Sequence, residues 1–238
     1  MKRSLTDSSP SEVNDSLREI GGEFWDIPMT DSDDTLFPDK TQWFLSGRSA
    51  LMSILNDIKA AKKCKKAYLP SWCCDSVIIP FLKLGLRVEF YSVYPENGGL
   101  VQNIPDEKDD EIILVMDFFG YHNYFGDVQN GTVIRDLTHS VFMGVPDDAD
   151  HYFGSLRKWC GVCTGGFAWT SSGKRLSVYD EADEEYAMLR KRAMDEKSRY
   201  IRKEIDDKSF LELFLFFRVS VTLFPFVSVF TLRYCPPG

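Results

Sequence analysis

Asp136, His139, Ser155 and Lys158 are the residues of this chain whose types and spacing could do chemistry. Lysine and aspartate stand 22 residues apart, each just past a short apolar run. A lysine that is desolvated and close to a carboxylate suits Schiff-base chemistry, because its amine can shed a proton and attack a carbonyl. The runs themselves supply the positioning. Thr132 to Ile134 reads as a buried strand ending at Arg135-Asp136, and His151 to Phe153 reads as a second strand leading to Ser155 and Lys158. A Cys- and Gly-rich turn then enters a third strand, Gly166 to Thr170. An acid at the C-terminal end of one parallel strand and a lysine just past another meet at one sheet edge, where open α/β sheets bind ligands.

The elements before them follow the same logic. Trp43-Phe44-Leu45 leads through Ser46-Gly47-Arg48-Ser49 into a helix, with Leu51, Met52, Ile54, Leu55 and Ile58 at helical spacing. Free N–H groups and the positive end of the dipole make such a helix start a phosphate site. An ordinary helix start with Ser46 as N-cap is the alternative. Ala67 to Leu69 reads as a strand closed by Pro70, followed by a helix beginning near Ser71 and stopped by Gly85. Leu86 to Val93 is the next strand, Tyr94 to Gly99 a turn, and Glu111 to Phe118 a buried parallel strand. Strands alternating with helices through Trp169 predict an α/β fold with a mostly parallel (mixed) sheet flanked by helices.

With 238 residues, 44% hydrophobic and 14% aromatic, the chain can bury a core of one large domain or two small ones. Net charge is −8. That argues against nucleic acid as the partner, since phosphate binding needs clustered cations. Lys62, Lys63, Lys65 and Lys66 read as the solvated end of a helix. The N-terminal stretch has no apolar run of the kind a secretory signal needs, and six cysteines are too sparse for a disulfide scaffold. A cytoplasmic location is expected. The domain reading is a loose arm over 1–19, an α/β large domain over 20–176, a charged amphipathic helix over 177–208, and an apolar segment over 209–238.

These residues together resemble the active-site core of fold-type I pyridoxal-phosphate enzymes, most closely the DegT/DnrJ/StrS-type sugar aminotransferases. The resemblance runs over about Ile20 to Trp169. It implies pyridoxal 5′-phosphate as cofactor, with Lys158 as its covalent anchor and Asp136 on the pyridine nitrogen. His139 would lie near the ring's 3-oxygen, and Ser155 with Gly47, Arg48 and Ser49 would hold the phosphate. Trp72 is the candidate to cover the ring, Cys74 an alternative, and Phe119 or Tyr121 lies on the other nearby loop. Gly165-Gly166 matches the family's glycine pair before a strand. The implied activity is amino transfer from a donor such as glutamate to a keto-sugar, in a homodimer. Trp159-Cys160 departs from the family, whose lysine is followed by small polar residues. The C-terminal small domain is expected to be truncated or altered.

Other readings compete. A non-catalytic descendant could bind cofactor or a partner. Cys160 and Cys163, in C-x-x-C spacing, could join Cys73 and Cys74 in a zinc site or act in redox chemistry. From Leu213 to Leu232 Arg218 is the sole charge, a length that meets the transmembrane criterion. Arg218 and Pro225 favour unpaired core over an anchor.

Overall fold

The computed structural model describes residues 36–105, 110–121, 130–177, 184–206 and 209–215. The expected N-terminal arm and nearly all of the apolar C-terminal segment lie outside the described residues. Among the described residues no helix is long and apolar enough to cross a membrane.

Among the described residues seven strands form one sheet, in the order β1-β9-β8-β7-β6-β2-β3. They are β1 (Gln42–Phe44), β2 (Lys66–Pro70), β3 (Arg87–Tyr91), β6 (Glu111–Met116), β7 (Thr132–Asp136), β8 (His151–Ser155) and β9 (Gly166–Thr170). Pairing is parallel from β8 through β7, β6 and β2 to β3. β9 alone is reversed, antiparallel to both β8 and β1. The sheet is therefore mostly parallel but mixed. Its central strands β6, β7 and β9 are buried at every position, as strands covered on both faces must be.

Helix α1 (Gly47–Ala61) buries the apolar stripe legible in the sequence, with Leu51, Ile54 and Leu55 fully enclosed. It lies against β8 and β9 and beside α2 (Asp75–Lys83). Helix α3 (Glu184–Ile201) seats Tyr186 and Ala193 beside Leu45, Leu213 and Phe214. It ends where Lys203 takes a φ of 60° and the Lys203 and Glu204 amides bond back to Tyr200 and Arg199. Residues 202–206, read from sequence as helix, are not helical for that reason.

Three further expectations change. α2 starts at Asp75, not near Ser71, because the Ser71 amide donates to Tyr91 O and its hydroxyl accepts from Val93. Those bonds hold residues 71–74 to the sheet and out of the helix. The stretch read as a turn is a hairpin, β4 (Val93–Glu96) with β5 (Gly99–Gln102). Its tight turn is Asn97-Gly98, with φ of 50° and 81°, the backbone that hairpin turns require. The strand–helix alternation also stops early. Only turns join β7 to β8, and a single 3-10 turn lies between β8 and the reversed β9, which needs no crossover helix.

Candidate active site

The C-terminal ends of β1, β2, β6, β7 and β8 share one sheet edge, which is also where the reversed β9 begins. A cleft of about 520 Å³ opens there. Gly47, Arg48, Trp72, Asp136, His139, Ser155 and Lys158 all line it, although they come from four separate loops. Ser49 does not. Its hydroxyl and its amide are instead engaged by the Ser46 hydroxyl, at 3.1 and 3.2 Å, so the helix-cap reading of Ser46 holds.

The helix start is pressed against the strands. A Cβ on Gly47 would meet the Gly154 carbonyl at 3.1 Å and Ser155 Cβ at 3.2 Å. A Cβ on Gly166 would stand 2.1 Å from the Ser46 carbonyl, so only glycine lets β9 pass under this turn. The result brings the first amides of α1 and the Ser155 side chain to the same wall of the cleft.

Asp136 ends β7 and is 2% exposed. Its Oδ1 accepts the Thr138 amide at 2.8 Å, which folds the chain back so that His139 also faces the cleft. Burial pushes the Asp136 carboxyl up to about 6 against the opposing Thr138 bonds; Asp117 adds to the rise and the Lys158 charge opposes it. Burial, then Lys158, lowers His139 below its ordinary value, which favours the neutral imidazole. Lys158 thus acts on both groups. It stands on the 3-10 turn after β8, which has no buried residue, and is exposed, not desolvated as the sequence predicts.

Trp159 explains the departure after the lysine. Its indole Nε1 donates to the Thr138 carbonyl at 2.6 Å, strapping the Lys158 turn to the Asp136 loop. Behind them, on the opposite face of β7, Arg135 donates to Asp117 Oδ1 at 2.6 Å and also to Asp148. Ser140 donates to Asp117 Oδ2 at 2.6 Å. The sequence signal for Asp117 is an acid that ends the apolar run EIILVM. Arg157, also unremarked, lines the cleft beside Lys158.

On the other wall Trp72 meets Phe118 edge-on, with centroids 6.3 Å apart. Phe118 lines the cleft, whereas Phe119 and Tyr121 are not among its lining residues and are 72% and 66% exposed. Cys73 and Cys74 also line it, and burial pushes the Cys73 thiol up to about 11. Among the described residues no three His, Cys, Asp or Glu side chains are grouped to hold a metal.

The donor set is a primary amine, a buried carboxylate, a neutral imidazole, a helix start with a serine hydroxyl and the Arg48 guanidinium, the further guanidinium of Arg157, and the aromatic rings of Trp72, Phe118 and Phe153. A phosphorylated pyridine aldehyde makes matching demands, and the close approach of Gly47 to Ser155 leaves its phosphate a cradle of amides and a hydroxyl.

No family model matches the chain, and no curated protein does. Similar solved structures include the sugar aminotransferase CalS13 of Micromonospora echinospora, at 14% identity, covering 68% of this chain and 45% of that one with a TM-score of 0.45. Another is Spr1654 of Streptococcus pneumoniae, described as a sugar aminotransferase in its PLP form, at 13% identity, 64% and 45% coverage and TM-score 0.43. A third is the sphingosine-1-phosphate lyase Bpss2021 of Burkholderia pseudomallei, at 10% identity, 55% and 38% coverage and TM-score 0.41. The chain spans less than half the length of each.

Proposed function

We propose that the chain is a pyridoxal-phosphate-dependent aminotransferase of the sugar-aminotransferase type, passing an amino group from a donor such as glutamate to a keto-sugar. The observation that carries this reading is the convergence of Asp136, His139, Ser155, Lys158 and the Ser46–Arg48 turn on one cleft. Pyridoxal phosphate, when bound, supplies a ring that withdraws electrons from the substrate carbon next to nitrogen.

The chain's own residues divide the remaining work. Lys158 would anchor the cofactor through its side-chain nitrogen, and its Nζ would carry a proton between substrate atoms. Asp136 keeps a proton on the pyridine nitrogen, where a carboxylate matters most as negative charge develops. His139 donates toward the ring oxygen. The α1 amides, Arg48 and Ser155 hold the phosphate, and Trp72 covers the ring. A cytoplasmic homodimer acting on a nucleotide-linked sugar, in polysaccharide or secondary-metabolite synthesis, completes the proposal.

The exposure of Lys158 favours a second reading, a non-catalytic descendant that binds cofactor or a partner, because an open cleft admits water to the amine. The absorbance spectrum of purified protein, with and without glutamate, separates the two. A visible band that glutamate bleaches supports the transferase, and a band that glutamate leaves unchanged supports the descendant. Borohydride reduction and peptide mapping should place the cofactor on Lys158. Label on another lysine, or no uptake at all, overturns the assignment.

A further inference from the structure

The cleft is lined by more cations than carboxylates, and one of those cations stands apart from the helix-start wall. Arg48, Arg157 and Lys158 line it, and Asp136 is the one carboxylate among the described residues that does so. Asp136 is buried at the foot of the cleft and already serves the Thr138 turn. Arg48 belongs to the helix-start wall with Gly47 and Ser155. Arg157 does not. It lies next to Lys158, and its Nη1 donates to the Tyr186 hydroxyl at 3.4 Å.

Tyr186 comes from α3, outside the sheet. Its ring is 8% exposed and packed in the cluster that seats α3 on Leu45. Arg157 is therefore oriented by the Tyr186 hydroxyl, and among the described residues no carboxylate forms an ion pair with it. Two guanidiniums in one cleft repel: burial and then Arg157 hold Arg48 below its ordinary value. Such an arrangement is relieved by an anion between or beside them, and a guanidinium matches carboxylate and phosphate oxygens with two parallel bonds.

We propose that Arg157, oriented by Tyr186, is a specificity-determining residue that binds an oxyanion carried by the substrate, distinct from the cofactor's phosphate. This rests on the pyridoxal-phosphate reading of the cleft. The oxyanion is the carboxylate of the amino donor or the phosphate of the acceptor. Both present the same chemistry to a guanidinium.

Calorimetric titration of the full chain with glutarate, and separately with methyl phosphate, tests this, first without cofactor and then with the cleft saturated by pyridoxal phosphate. Neither probe has an amine to react. In the loaded protein Arg157→Gln should weaken the preferred probe by about tenfold or more, while affinity for pyridoxal phosphate changes by less than about threefold. Tyr186→Phe keeps the ring and should weaken the probe severalfold. Arg157→Lys should recover part of the loss. Preference for glutarate assigns the site to the donor, and preference for methyl phosphate to the acceptor; either outcome supports it. Equal probe affinity in wild type and Arg157→Gln overturns the proposal. So does a parallel loss of cofactor affinity, which would make Arg157 a cofactor ligand, and so does absence of probe binding to wild type at about 10 mM. If the chain takes up no cofactor, the proposed function fails, while the cofactor-free titrations still decide whether Arg157 binds an oxyanion.

Discussion

Arg135 and Asp117 are bonded at 2.6 Å with only 2% and 1% of their side chains exposed, on the face of β7 opposite to Asp136. Side chains alternate along a strand, so Asp136 faces the cleft with Met116 while Arg135 points back with Val115, its partner in register. The pair, with Ser140, braces the turn that carries Thr138 and His139. Breaking one side of a buried pair leaves an uncompensated charge. Asp117→Asn should therefore cost about 3–5 kcal/mol in denaturant unfolding, while replacing both Asp117 and Arg135 by apolar residues of similar volume should cost much less. Near-normal stability of the single variant would mean that Asp148 alone satisfies Arg135.

Asp136 makes stability depend on pH in a definite direction. Its folded carboxyl is raised from 3.8 to about 6, so the folded protein holds this proton more tightly than the unfolded chain. The stability it contributes is present in full below about pH 4 and lost as pH rises through about 6, an amount on the order of 3 kcal/mol. Asp136→Asn removes that term. Subtracting its unfolding curve from that of the wild type, pH by pH, should isolate the loss, and above pH 6 the variant should be the more stable protein. If the chain is the proposed aminotransferase, turnover of this variant should nonetheless fall by orders of magnitude. A difference that is flat with pH would show that Asp136 titrates as an ordinary surface acid.

Gly166→Ala tests the pressed helix start. The new Cβ would meet the Ser46 carbonyl and the Gly47 amide, both backbone, at 2.1 and 2.8 Å. Side chains cannot yield there, so the cost should reach or exceed the about 1–3 kcal/mol of core overpacking. Uptake of pyridoxal phosphate should fall with it. Full uptake at unchanged melting temperature would mean that α1 can move aside.

Two truncations probe the C-terminus. Leu213 and Phe214 pack beside Tyr186 and Ala193 of α3, and Phe210 lies 5.4 Å from the Tyr200 ring. Ending the chain after Lys208 removes all three and should lower the melting temperature, since Phe210 is buried, where an apolar side chain stabilises by about 1.5–3 kcal/mol, and the half-buried Leu213 and Phe214 add a smaller share. Ending it after Leu215 keeps them and should improve solubility over the full chain by deleting an apolar stretch. If instead the full chain leaves membranes only in detergent as a well-behaved species, residues 213–232 form an anchor.

What was legible in the sequence was local. The stripe of α1, the buried runs of β6 and β7, and the placement of Asp136 and Lys158 past strand ends all follow from short-range pattern. The reversal of β9 did not, because no residue within Gly166–Thr170 encodes which neighbour it pairs with. Asn97-Gly98 did carry a hairpin signal, but Pro95 and the charged Glu96 obscured the flanking alternation. Arg157 was hidden because what singles it out, a hydroxyl from Tyr186, lies 29 residues away. The start of α2 was misplaced for a related reason: Ser71 is held by Tyr91 and Val93, across the sheet.

The pairing of the first strand with the last has a consequence for how the site comes into being. Gln42 on β1 exchanges hydrogen bonds with the backbone of Leu176, 134 residues further along, and β1's strand partner is β9. During synthesis the Ser46–Arg48 turn therefore waits for nearly the whole sheet to leave the ribosome. At about 5–20 residues per second that interval is on the order of ten seconds. Throughout it, the apolar stripe of α1 lacks the β8 and β9 surface that covers it in the finished fold. The turn that starts α1 is thus one of the last parts of the described fold to close, and on the proposed function a nascent chain would not hold cofactor before its sheet edge is complete.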